Sequence, residues 1–585
     1  MKYLWLGSIF IAGCWSLGSC SAPKDQHPAG LVRIRWTRDP ENLSPIAASN
    51  QNATDAISLM YCSLLERDFS QNAFSPVLAD SLPVVHLIGD SLTSLSYRIR
   101  KEATWDDGRP VLATDVDFTL KLMQCPGLPN ESTRTEYNFI QGVHISADDP
   151  RRFTLICKGQ APEYVMASGD FAILPEATLD SAHTLRQYSI AALSRQDSAS
   201  ASMNPVLGAL AQRYNRLNPA RYPGRIPGCG PYRMTDWKTN SSLTFKRKPK
   251  WWADQLSSAP LVLQARPKQI QFLIISDEAT ATLALRRHRL DVYPQVPALE
   301  FERLKASAGQ EFTFYSGPSY ELEYAGFNTQ MPVLHDKLTR QALACLFDPA
   351  QLLKATQLGQ GSRTVGFVYP IERQFYHDSL SPLAYAPKRA LELLKQAGWQ
   401  RKPEGWQRQT SSTALQHLNL TLRYRISEPT FETIALQFRS AAEALGIPIE
   451  LRPTEPSVLM QDLKHGNFDM FIRNLKGSPQ SFNFSPLLHS QAIGADNLTR
   501  FGTPASDRLL KTIEATGDPA KKRHLLRTFQ VMMQDEMPMV PLFVLPYRLV
   551  TDARLRHVYP SALRPGYAVA ALDWAPAADA IARTQ

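Results

Sequence analysis

TFETIALQFRSAAEALGIPIEL, residues 430–451, reads as a helix that hands over to a strand across one glycine. Ile434, Phe438, Ala441 and Leu445 fall on a single stripe at helical spacing. Gly446 supplies the stop, because a residue without Cβ takes the left-handed conformation of a helix C′ position without a clash. The strand of residues 447–451 follows at once. A helix joined to a strand by so short a connection belongs to α/β architecture.

The same pattern extends on both sides. Asp336 is placed to cap a helix in which Leu338, Ala342, Cys345 and Leu346 share a face, and a further helix over 388–397 stops at Gly398. VPLFVLPYRLV, residues 540–550, is β-rich, whereas the tail after Arg564 is Ala-rich and carries no signal. Toward the N-terminus, residues 31–36 alternate apolar and polar as a half-buried strand does. The loop PENLSPIAASNQNATD (40–55) and an apolar stretch (56–65) come next. Residues 94–100 alternate through Leu95, Tyr97 and Ile99, and Trp105-Asp106-Asp107-Gly108 makes a turn. Thr114 is expected to cap a helix over 115–123, with Asp115 and Asp117 where the helix dipole favours anions. That placement explains the two acids better than a catalytic pair does, since nothing nearby acts as a nucleophile. Residues 180–227 are polar and irregular and read as an insertion; strands are expected over 230–234, 242–246 and 270–275, and a helix over 280–285.

At 585 residues the chain exceeds one compact core, so two or three domains are expected. Hydrophobic content of 44% and charged content of 20% describe a globular chain, and no segment after the N-terminus holds the ~18 apolar residues of a membrane helix. The net charge of +10 is spread out; Lys246-Arg247-Lys248-Pro249-Lys250 is a solvated strand end, and no nucleic-acid motif accompanies it. G-x-S-x-G, H-E-x-x-H, Walker A and G-x-G-x-x-G are all absent, and no two histidines sit four apart on a helix. No enzymatic activity, metal or cofactor is therefore expected. Cys62, Cys125, Cys157, Cys229 and Cys345 are too sparse for a disulfide framework or a zinc site; Cys125 with Cys157 is the one pair worth testing.

Five stretches carry a resemblance, in order along the chain. They are YRIRKEATWDDGRPVLATDVDFTL (97–120), GCGPYRMTDWKTNSSLTFKRKPKWW (228–252), LALRRHRLDVY (283–293), AGFNTQMPVLHDKLTRQALACLFD (325–348) and YAPKRALELLKQAGW (385–399). Together they resemble the family 5 extracellular solute-binding proteins, receptors that feed oligopeptides, dipeptides, nickel chelates and some sugars to ABC importers. The resemblance implies an α/β, two-lobed periplasmic-binding-protein-like fold with an extra subdomain in the first lobe. Lobe I is expected over 31–323, with the subdomain and insertion at about 51–227. Lobe II follows over 324–540, and residues 541–585 return to lobe I. It implies an interlobe cleft for an oligopeptide or another small solute, and ABC permease subunits as partners, with no nucleic acid. A sensory or chaperone-like receptor on the same fold, or an exported hydrolase, are the alternatives.

The resemblance maps four zones onto the cleft: Asn50 and Gln51; Tyr293 and Gln295 after Asp291; Tyr320, Glu321, Glu323 and Tyr324 on a hinge strand; and the loop 473–484 with Arg473 and Lys476. Four features depart from the family pattern. The turn before LDVY is Arg287-His288-Arg289 instead of a small glycine turn. Cys229 replaces a hydroxyl residue in a GTGPY-like motif. The insertion at 180–227 is unusual. The stretch RNLKGSPQSFNF (473–484) has no acid where peptide-binding members place an Asp for the peptide ammonium. A buried ammonium without a partner is costly, so this loop suits an anionic or carboxylate-bearing ligand, or a peptide held mainly by its backbone.

Residues 1–20 carry one charge, Lys2, and then an apolar run of secretory shape. Leu17-Gly18-Ser19-Cys20 resembles a bacterial lipobox, with SAPKDQHPAG (21–30) as the tether, and Ile11-Ala12-Gly13-Cys14 is a second candidate. Cys20 leaves the longer apolar core, and Ser21 is not the Asp of the enteric inner-membrane retention signal. An exported, lipid-anchored protein of the periplasmic space is expected. Cys20→Ser should release the protein into the soluble fraction after cell disruption while Cys14→Ser does not; the reverse pattern would move the mature terminus to Cys14.

Overall fold

The structure is a computed structural model that describes residues 30–576 apart from 48–49, 72, 90, 161–162, 196–203, 410–414 and 480. Cys14, Cys20 and the tether up to residue 29 lie outside the described residues. Two strands much longer than the usual five or six residues run through the middle of the molecule: Phe312–Phe327, 16 residues, and Met539–Asp552, 14 residues. They pair antiparallel, with irregularities between Pro318 and Leu322 and between Glu323 and Tyr324 that interrupt the ladder. They stand fourth and fifth in one ten-stranded sheet, so strands of residues 420–476 flank them on one side and strands of residues 31–36 and 232–294 on the other. Both lobes thus hang on one sheet, and the expected boundaries at 323/324 and 540/541 fall inside this shared pair.

On the first-lobe side Leu31–Trp36 pairs parallel with Gln269–Ile274, which continues into the antiparallel hairpin Tyr232–Lys238 and Ser242–Arg247. Trp36 stacks on Phe272 with ring centroids 3.8 Å apart. A separate four-stranded antiparallel sheet is built from Val84–Ile88, Leu92–Arg98, Arg152–Lys158 and Ile140–Ile145. On the second-lobe side Leu420–Arg425 and Ile449–Thr454 are parallel neighbours joined by the helix Pro429–Ala444. Gly446 has φ +80°, as its role as a helix stop requires, and the strand starts two residues later than expected. Side-chain alternation along the central strand sends Tyr320, Leu322 and Tyr324 into one core with Phe471 and Phe529. Ala325 and Phe327 enter another on the opposite face, with Phe347 stacked on Phe438.

Several expectations need correction. The helix expected over 115–123 is Ala113–Gln124, and Asp115, not Thr114, makes the cap: its carboxylate accepts the Leu112 N–H at 2.9 Å and the Glu176 N–H at 2.9 Å. Within the stretch 180–227, expected to be irregular, Pro205–Leu217 is a helix that buries Leu207, Leu210, Ala211 and Tyr214. The described part of the tail, residues 565–576, includes the strand Asp573–Trp574, which pairs with Leu555–Arg556. Cys125 and Cys157 are free, each thiol pushed up to about 12 by burial.

Two departures from the family pattern have physical explanations. His288 takes the left-handed conformation (φ +50°) that a glycine would fill, and its ring is fixed 3.3 Å from Asp552 Oδ2. Gly228 and Gly230 press on the end of the first helix, where a Cβ would meet Met60 at 2.2 and 2.6 Å. Between them Cys229 uses its backbone: its carbonyl accepts the indole N–H groups of both Trp251 and Trp252 at 2.8 Å.

Asp291 is wholly buried and holds Arg33 through Nε at 3.0 Å, Nη2 at 2.9 Å and the backbone N–H at 2.7 Å, pinning the first strand to the turn 287–291. Breaking a buried pair leaves an uncompensated charge. Asp291→Ala should therefore lower stability by about 3 kcal/mol, measured as a shift of the urea midpoint, whereas the neighbouring exposed change Arg287→Ala should shift it little.

Candidate functional site

Strand register decides which side chains can meet. Glu321 lies opposite Lys476, Glu323 opposite Asn474 and Tyr324 opposite Arg473, in pairing with the strand Met470–Lys476. Because successive residues point to opposite faces, Glu321, Glu323, Asn474 and Lys476 share one face, and Tyr324 and Arg473 share the other. The expectation that Arg473 and Lys476 together form one loop subsite is corrected here. Both belong to a strand, and they point away from each other.

The Glu321 face is charged. Arg564 Nη2 donates to Glu321 Oε2 at 2.6 Å, Asn474 Nδ2 donates to Oε1 at 2.8 Å, and Lys476 Nζ stands 3.7 Å from Oε1. Desolvation lowers the Lys476 pKa; Glu321 opposes that shift, and Arg564, Arg38 and Arg425 add to it. The ammonium still keeps 48% of its side chain open, so the crowding is partial. Arg38 lies just beyond the first strand of lobe I, 4.0 Å from Glu41, and Arg425 closes the strand Leu420–Arg425 of lobe II and pairs with Glu428. Glu323 is buried, with no hydrogen-bond partner for Oε2 among the described residues, and burial raises its pKa well above the carboxylate range, with Glu321 and Glu428 adding repulsion.

The remaining expected residues divide. Tyr320 is nearly buried and donates its hydroxyl to Glu372 at 2.6 Å, and Tyr324 packs edge-on against Phe471, so both serve the second-lobe core. Tyr293 has no exposed surface; its ring lies under the Arg35 guanidinium at 4.7 Å, which makes it core and not cleft wall in this structure. Gln295 is exposed, at φ +55°. Asn50 caps the helix Gln51–Met60 by accepting the Ala53 N–H at 3.0 Å. Gln51 donates to Asp55 at 2.8 Å and borders a cavity of about 250 Å³ in the first lobe. Arg38, Arg425 and Arg564 were not singled out from sequence. Each is an ordinary surface-type cation until the fold brings them together.

The lobes also touch away from the hinge. Lys522, buried in the helix Pro519–Glu536 of the second lobe, pairs with Glu163 of the first-lobe subdomain, and its ammonium lies 5.9 Å from the Phe482 ring centroid.

Two lobes on one sheet, with a charged face between their strand ends, define a hinged binding protein of the periplasmic type. Residues 73–495 match the model described as bacterial extracellular solute-binding proteins, family 5 middle, and the chain belongs to that family. Its members are non-enzymatic receptors. The chain is 20% identical over 513 residues to the dipeptide-binding protein of Escherichia coli K12, covering 85% of this chain and 86% of that one. The fold matches the oligopeptide-binding protein AppA of Bacillus subtilis, solved with a nonapeptide, at TM-score 0.72 and 18% identity over 94% of this chain and 99% of AppA. It also matches NikZ of Campylobacter jejuni, solved with Ni(L-His), at TM-score 0.71 and 16% identity over 94% and 100% of the two chains.

Glu323 gives a test of this electrostatic picture. A carboxyl whose pKa is raised on folding favours the folded state below its unfolded pKa of about 4.3 and loses that contribution as pH rises toward the folded value. Glu323→Gln should therefore raise the thermal midpoint at pH 8 and leave it nearly unchanged at pH 4. An equal shift at both would mean that Glu323 is ionised in the folded protein.

Proposed function

We propose that this protein is a lipid-anchored receptor of an ABC importer that captures an oligopeptide or a related small solute between its lobes and delivers it to permease subunits. In this reading lobe I (31–323 and 541–585) and lobe II (324–540) close about the strand pair Phe312–Phe327 and Met539–Asp552. Relatives described as binding dipeptides and a nonapeptide support the solute class, and membership of an extracellular receptor family supports export.

One observation carries the ligand's polarity: Lys476 keeps 48% of its side chain open beside Glu321, with the charges of Arg564, Arg38 and Arg425 bearing on it, while Glu323 on the same face is held neutral by burial. A carboxylate of the solute docks there, on Lys476, where its charge offsets the crowding of cations. Arg473, on the other face, takes no part. Closing the lobes removes water from the pair and strengthens it.

Binding of Ala-Ala-Ala, followed by calorimetry, should weaken about tenfold, ~1.4 kcal/mol, on Lys476→Ala. It should stay within about twofold on Arg473→Ala, and amidation of the peptide's C-terminus should reproduce the lysine effect. Scattering in solution should show a smaller radius of gyration at saturation. An unchanged radius with confirmed binding would argue for a rigid module.

A further inference from the structure

The first-lobe cavity has a chemistry of its own. It is walled by the helix Gln51–Met60, the strand Leu65–Asp68, residues 170–172 and the tail loop 564–571, and Asp55, Glu66 and Asp170 all reach it. Two guanidiniums line it as well: Arg67 faces Asp170 within the cavity, and Arg564 is engaged outside it by Glu321. Arg67 stands 4.0 Å from Asp170 and lies over the Phe74 ring, and Arg564 bonds Glu321 at 2.6 Å. The Asp55 carboxylate accepts one hydrogen bond, from Gln51, and the Glu66 carboxyl makes no hydrogen bond or ion pair among the described residues.

Asp55, Glu66 and Asp170 are all partly buried at the cavity, and Asp170 keeps 41% of its side chain open. Burial pushes Asp55 up to about 7 against the pull of Gln51, Arg564 and Arg67. Burial likewise pushes Glu66 up to about 8, with Asp170 and Asp55 repelling it. Tyr61, Cys62 near Glu66 and Tyr567 near Asp55 are the other titratable groups of the wall, and all three are neutral at these pH values. Acids kept protonated by burial near neutral pH ionise when a cation is bound beside them.

We propose that this cavity is a subsite for an ammonium or guanidinium group of the captured solute, held by Asp55, Glu66 and Asp170. The inference rests on the receptor reading above and sharpens its solute class to one bearing a basic side chain. Size agrees, because about 250 Å³ falls below the ~300–1,000 Å³ of pockets that engulf a whole drug-sized ligand and suits a single side chain. Position agrees too. Arg564 is both a wall of the cavity and the partner of hinge residue Glu321, so the basic group and the carboxylate at Lys476 are anchored on either side of one guanidinium.

The test uses Ala-Lys-Ala and its Nε-acetyl form, titrated by calorimetry into the intact protein and into a Glu66→Gln, Asp55→Asn double variant whose thermal transition is checked first. The wild type should prefer the free lysine at least tenfold at pH 7, and should release protons on binding it, seen as a dependence of the heat on buffer ionisation enthalpy. The double variant should bind both peptides alike. Equal binding by the wild type, or discrimination that survives in the double variant, overturns the inference. Should neither peptide bind, the peptide reading fails, and n-butylammonium against n-butanol then judges the cavity. Saturable binding of the cation alone, lost on Glu66→Gln, supports the subsite, and its absence overturns it.

Discussion

Everything in this molecule depends on the backbone pairing of Phe312–Phe327 with Met539–Asp552. A strand pair shared by two lobes must satisfy its ladder continuously, because an unpaired buried N–H or C=O is costly. It must also pass from one core to another without a break. The register shifts near Pro318 and Glu323 reconcile these demands by interrupting the ladder locally where one lobe gives way to the next. The side chains that protrude at that point, Glu321 and Glu323, have no apolar core to enter. The charged face follows from the topology.

Burial then sorts those charges. Glu321 is compensated by Arg564 and Lys476 together, whereas Glu323 lies deeper and is held neutral. On the first-lobe side of Arg564 the balance reverses, with carboxyls in excess around the cavity. A single guanidinium thus stands between the ammonium of Lys476 and the acids of the cavity. That polarity would reject a solute presented in reverse, since each misplaced charge would face its own sign.

The fold was legible because its signals are local. The stripe from Ile434 to Leu445, the stop at Gly446 and the cap at Asp336 each depend on residues a few positions apart, and each appears where those residues put it. Asp115 was misread by one step: the same acid that suits a helix dipole also reaches back to cap the helix, and composition does not distinguish the two. The site resisted for other reasons. Arg473 and Lys476 look alike in sequence, and only strand parity sends them to opposite faces. The cavity joins Asp55 to Arg564 from opposite ends of the chain, and the tail that supplies Arg564 looked featureless. Tyr293 and Tyr324 show the converse, since a tyrosine suited to a cleft is equally suited to a core.

The bridge between Glu163 and Lys522 bears on the environment in which such a receptor works. Parting the lobes would turn a desolvated pair into two hydrated ions, and dissolved salt screens hydrated ions far more than buried ones. Rising ionic strength therefore favours the parted form. A compartment whose salt follows the world outside the cell would set the resting gap between the lobes before any solute arrives.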